Sequence, residues 1–116
     1  MKKTLALAAL ALASAAAFAH AKLQNSIPAN GASVAPAPAE LRLQYDEPVE
    51  VAMSTVKLTG PGEAPVAIDK VVADPSDDKT IVQPLPRLAA GDYRVQWTTM
   101  GHDGHHTKGE IRFTVK

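Results

Sequence analysis

Beyond residue 20 the chain reads as short stretches of alternating apolar and polar residues, separated by Pro, Gly, Asn and Asp. Leu41, Leu43 and Tyr45 alternate with Arg42 and Gln44. Tyr93, Val95 and Trp97 alternate with Arg94, Gln96 and Thr98, and Ile111, Phe113 and Val115 with Arg112 and Thr114. Side chains of a strand point to opposite faces in turn, so a repeated period of two predicts antiparallel strands with one face buried. Lys22 to Ile27, Ser54 to Leu58, Val66 to Val72 and Thr80 to Gln83 are further strand candidates, which brings the expected count to about seven. The separators Pro28-Ala29-Asn30-Gly31, Gly60-Pro61-Gly62, Asp74 to Asp78 and Ala89-Ala90-Gly91-Asp92 have good turn chemistry. No segment after the leader keeps a helical period for three turns, and its prolines would interrupt one. The pattern predicts an all-β fold, a small Greek-key β-sandwich or barrel of immunoglobulin-like type. Ala35-Pro36-Ala37-Pro38-Ala39 reads as an edge crossing between strands and not as a domain boundary.

The first residues follow different rules. Lys2 and Lys3 precede a continuous apolar run from Leu5 through Ala13, which is the layout of a secretory signal peptide and too short for a comfortable membrane span. Ala17-Phe18-Ala19 fits the small-residue pattern of a cleavage site, giving a leader at 1–19 and a mature domain at 20–116 that begins with His20. Ala19-His20-Ala21 also fits, and a cut there would remove the histidine.

Taking nineteen residues from 116 leaves 97, enough for one core and too few for two domains. Without Lys2 and Lys3, ten basic residues face twelve acidic ones, so no basic surface points to nucleic acid or anionic lipid. The absence of cysteine removes disulfides, thiolate metal sites and cysteine nucleophiles together.

Three of the four histidines fall within Met100-Gly101-His102-Asp103-Gly104-His105-His106-Thr107, between two expected strands. A metal is the ordinary reason for such uneven usage. An N-terminal histidine offers its α-amine and imidazole Nδ1 to one ion, and an α-amine gives up its proton far more readily than a lysine ammonium. Cu(II) favours a tetragonal set of nitrogen and oxygen donors, which two His20 nitrogens, one His105 nitrogen and an Asp103 carboxylate oxygen would supply. In an extended Asp103-Gly104-His105 segment the two side chains would share a face. His102 and His106 would then face the other way, as alternate ligands, a second weak site or solvated side chains.

At these residues the sequence resembles the CopC family of periplasmic copper-resistance proteins. The matching features are His20-x-Lys22-Leu23, Ser26-x-Pro28-Ala29-x-Gly31, Leu41-x-Leu43-x-Tyr45-x-Glu47, Ala90-Gly91-x-Tyr93-x-Val95-x-Trp97, Asp103-x-His105 and Gly109-x-Ile111-x-Phe113-x-Val115. The resemblance implies a Greek-key β-barrel that binds Cu(II) through His20, Asp103 and His105. Glu47 matches a glutamate near the copper in some members and is a candidate outer-shell acceptor. The sequence departs from the family in lacking the Met-rich segment of members with a Cu(I) site, since its mature part holds only Met53 and Met100. It also departs in carrying histidine at 106.

The function expected is that of a non-catalytic, monomeric carrier or buffer of the periplasm, holding one Cu(2+) per chain. It would sequester the ion or hand it to an inner-membrane copper importer or another periplasmic acceptor. Two other readings stay open: a copper-dependent oxidase or oxygenase, disfavoured because Asp103 would fill the position oxygen needs, and an immunoglobulin-like interaction module with incidental histidines.

Overall fold

The computed structural model describes residues 21–116, so the expected leader and His20 lie outside the described residues. Nine strands form: β1 (Leu23–Ile27), β2 (Ala32–Val34), β3 (Glu40–Tyr45), β4 (Thr55–Thr59), β5 (Pro65–Val66), β6 (Val72–Asp74), β7 (Asp77–Pro84), β8 (Gly91–Met100) and β9 (His106–Val115). They make two sheets, one in the order β1-β3-β7-β6 and one in the order β2-β9-β8-β4-β5. The chain changes sheet on either side of β2, between β3 and β4, between β5 and β6, and between β7 and β8, which gives the expected Greek-key sandwich.

The period of two places the core as the pattern predicted. Leu41, Leu43 and Tyr45 of β3 and Ile81 of β7 face Tyr93, Val95 and Trp97 of β8 and Ile111, Phe113 and Val115 of β9, and all are buried. Each such side chain contributes about 1.5–3 kcal/mol relative to an exposed one. The Tyr45 and Trp97 rings meet edge to face across the two sheets with centroids 5.1 Å apart, and Tyr93 stacks on Phe113 at 5.5 Å. The Tyr93 hydroxyl donates to the Ala89 carbonyl at 2.6 Å, fixing the corner where the chain enters β8.

Two strands were not visible in the alternation. β2 has only three residues and runs parallel to the end of β9. It is brought there by the Gly31 amide donating to the Arg112 carbonyl and the Arg112 amide donating to the Asn30 side chain. The Val66 to Val72 stretch is not one strand. Its start pairs with β4 and its end with β7 in the other sheet. Between them the Gln83 amide group donates to the Asp69 carbonyl at 2.7 Å and carries the chain across the sandwich edge. Local alternation encodes neither a parallel partner from the far end of the chain, as for β2, nor a change of sheet within an apolar stretch, as between β5 and β6.

Candidate metal centre

β8 and β9 form a hairpin of ten residues on each side, in register from Gly91 with Val115 to Met100 with His106. Its tip, residues 101–105, carries the donors expected from the sequence. The tip is a closed turn and not an extended segment. The Gly101 amide donates to the His105 carbonyl at 3.1 Å and the Gly104 amide to the Gly101 carbonyl at 2.9 Å. Gly104 takes a left-handed φ of 86° with open space where a Cβ would be, so its role is conformational.

Asp103 and His105 converge, though by a different route from strand alternation. Asp103 Oδ1 accepts the His105 backbone amide at 3.0 Å, and its other oxygen, Oδ2, lies 3.2 Å from His105 Nδ1. This is an Asx-type turn, in which the carboxylate that bonds its own loop also orders the imidazole two residues on. Donors bound about 2.0–2.2 Å from an ion and subtending square to tetrahedral angles are about 2.8–3.6 Å apart, so the pair has the spacing of two adjacent ligands.

The start of the described chain comes to the same place. Ala21 is fully buried in the core. The Lys22 amide donates to Asp46 Oδ1 at 2.8 Å, the Asp46 amide donates back to the Lys22 carbonyl at 3.0 Å, and Leu23 pairs with Tyr45. A Cβ placed on Gly101 would lie 3.0 Å from Asp103 Oδ1 and 3.7 Å from the Ala21 methyl. The Ala21 methyl and the Asp103 carboxylate therefore flank one small space, which the hydrogen of Gly101 leaves open.

Glu47 is half-buried in the bend between Asp46, which holds the Lys22 amide, and Val49, which bridges to Gly101. It thus sits on the segment that joins the chain start to the hairpin tip. His102 is exposed and pairs through Nε2 with Glu50 Oε2 at 3.1 Å, and His106 is exposed at the first position of β9. Among the described residues no group of three or more His, Asp and Glu side chains is placed to hold a metal, so Asp103 and His105 offer a two-donor set.

Three residues around the tip escaped the sequence reading, Ala21, Asp46 and Gly101, as did the pairing of Glu50 with His102 outside it. Each acts through a contact between distant segments. The only local hint was the absence of a side chain at 101 beside a histidine-rich turn.

Residues 23–116 match the family model described as the CopC domain. The chain belongs to the CopC family. Copper resistance protein C of Xanthomonas campestris pv. juglandis is 38% identical over 119 residues, covering 97% of this chain and 93% of that protein. The crystal structure of PcoC from Escherichia coli, described as a methionine-rich copper resistance protein, superimposes with a TM-score of 0.76 at 38% identity, covering 84% of this chain and all of that one. Copper transport protein CutJ of Bacillus subtilis is 28% identical over 99 residues, which are 84% of this chain and only 18% of that protein. The CopC relationship makes copper the metal against which the tip has to be judged. An imidazole nitrogen and a carboxylate oxygen at ligand spacing suit Cu(II). Met53 and Met100 are the methionines beyond Met1, so the methionine richness of PcoC is not shared.

Proposed function

We propose that the chain is exported to the periplasm, is cut after Ala19, and then holds one Cu(II) through the α-amine and imidazole of His20, the Asp103 carboxylate and the His105 imidazole. The observation that carries this reading is the position of Ala21. The Ala21 methyl lies near Gly101, whose added Cβ would also meet the Asp103 carboxylate, and consecutive Cα atoms are about 3.8 Å apart, which supports a ligand supplied by the residue before Ala21. The burial of Ala21 also argues against the alternative cut, which would delete a fully enclosed core residue.

Two nitrogens from His20, one from His105 and one carboxylate oxygen make a tetragonal set without a cysteine or methionine. With Asp103 as the fourth donor, the site is built to retain an ion and not to present an open position to oxygen, which favours a carrier or buffer over an oxidase. Glu47 would act from outside the ligand set, on a water or on the terminal amine. The occurrence of a similar segment as 18% of a copper transport protein supports a part in copper transport, with a membrane importer as the acceptor in this reading.

The test is a comparison of two exported chains, one beginning at His20 and one with a single residue ahead of it. The extension leaves Ala21 and the core intact and removes only the free amine at position 20. Competition with a chelator should show Cu(II) affinity lower by at least ~100-fold in the extended chain, since loss of mere outer-shell partners already costs about 10–100-fold. Equal affinity would refute the terminal ligand. Mass spectrometry of the exported protein should give a first residue of His20 and one tightly held copper.

A further inference from the structure

The alternation of the hairpin divides its histidines between two faces. Odd-numbered residues of β8 point into the sandwich, and Gly101 continues that series toward Asp103 and Ala21. Even-numbered residues face outward, and His102 continues theirs, meeting Glu50 instead of the Asp103 carboxylate. We propose that His102 and Glu50 form a second, weaker site for a divalent transition-metal cation, filled after the first and open to solvent. It does not depend on His20.

Three observations support it. His102 Nε2 and Glu50 Oε2 are 3.1 Å apart, within the about 2.8–3.6 Å expected of adjacent ligands at ordinary bond lengths. Nε2 and Oε2 face each other, so a cation that displaces the proton between them would meet nitrogen and oxygen together.

The two donors are also held on a fixed frame. The Glu50 amide donates to the Met100 carbonyl at 2.8 Å, and the Glu50 carbonyl accepts the Met53 amide at 3.0 Å and the Ser54 hydroxyl at 2.8 Å. Val49 bridges to Gly101, one residue before His102. Little backbone freedom remains to be lost on binding, which is the usual cost of assembling a site from two segments.

The donor chemistry, finally, is that of a borderline cation. One imidazole and one carboxylate rank divalent metals in the order that peaks at Cu(II). Both side chains are about half exposed, at 55% for His102 and 44% for Glu50, so waters complete the coordination shell. Among the described residues no third imidazole or carboxylate joins them. Two protein donors against four make the site weaker and faster to exchange than the one at Asp103 and His105. That suits capture of a second ion when copper is in excess.

Calorimetric titration of the mature chain with Cu(II) past two equivalents tests the proposal, using Glu50→Gln and His102→Gln variants. The wild-type chain should show a tight event near one equivalent and a second, weaker event. Each variant should weaken the second at least tenfold, leave the first within twofold and keep the melting temperature. Asp103→Asn should do the converse. A single event in the wild-type chain, or a second event unchanged in both variants, overturns the proposal. Loss of the tight event with the weak one retained would instead count against His20, Asp103 and His105 as a site.

Discussion

Asp103 meets His105 twice, through Oδ1 on the backbone amide at 3.0 Å and through Oδ2 on the imidazole Nδ1 at 3.2 Å. The two contacts separate under substitution. Asp103→Asn keeps a side-chain oxygen for the amide but removes the negative charge, so the turn should survive while Cu(II) affinity falls by about 100-fold or more. Chelator competition gives the affinity, and the rise in melting temperature on adding Cu(II), which follows occupancy, should shrink in parallel.

Gly101→Ala should separate binding from stability in another way. Its new Cβ would stand 3.0 Å from Asp103 Oδ1 and 3.7 Å from the Ala21 methyl, and the carboxylate is the group able to move. The expected outcome is a loss of Cu(II) affinity of at least tenfold, with unfolding free energy changed by no more than about 1–2 kcal/mol. Denaturant unfolding and a copper titration of the same sample check both numbers.

Gly109→Ala should do the reverse. A Cβ there would come within 2.5 Å of the Trp97 ring, which is 6% exposed and packed against Tyr45. Overpacking of this kind costs about 1–3 kcal/mol. Trp97 is the single tryptophan, so its fluorescence follows unfolding without ambiguity. Copper affinity, measured under folded conditions, should stay close to wild type.

Acid should destabilise the protein in part through the β6–β7 hairpin. Asp74 accepts the Ser76 amide and hydroxyl and pairs with Arg42, which holds its carboxyl below the usual range. Asp77 is lowered by the Thr80 hydroxyl and the Lys79 amide. A carboxyl depressed in the folded state stabilises it above the unfolded value of about 3.9, and that contribution disappears as pH falls through the folded values. Melting temperature should therefore begin to fall as pH drops below about 4. The drop should be shallower in Asp74→Asn, measured by thermal melts between pH 2 and pH 6 (roughly the span over which a carboxylate titrates).

The sandwich was legible because three long strands carry strict alternation, and burial enforces it residue by residue from Leu41 to Val115. The edge strands were not, because β2 pairs with β9 from the far end of the chain, and the Val66 to Val72 stretch divides where its two ends join different sheets. At the tip Asp103 and His105 were expected to share a face, and the structure brings them into contact. The reason given by local sequence was extended backbone, whereas Gly104 turns the chain and the Asp103 carboxylate closes the turn. The contact of Glu50 with His102 was out of reach, since it follows from the bridge of Val49 to Gly101.

The β4–β5 connection sits at the other end of β8 from the hairpin tip. Gly91, the first residue of β8, approaches Pro61, while Met100 ends the strand beside the tip. Nine steps of about 3.3 Å put some 30 Å between these ends. Gly62 has nothing within 4 Å of where a side chain would begin. A reporter peptide or a whole domain spliced in at that loop would ride on the molecule as a handle, able to tether or track it while leaving the distant end undisturbed.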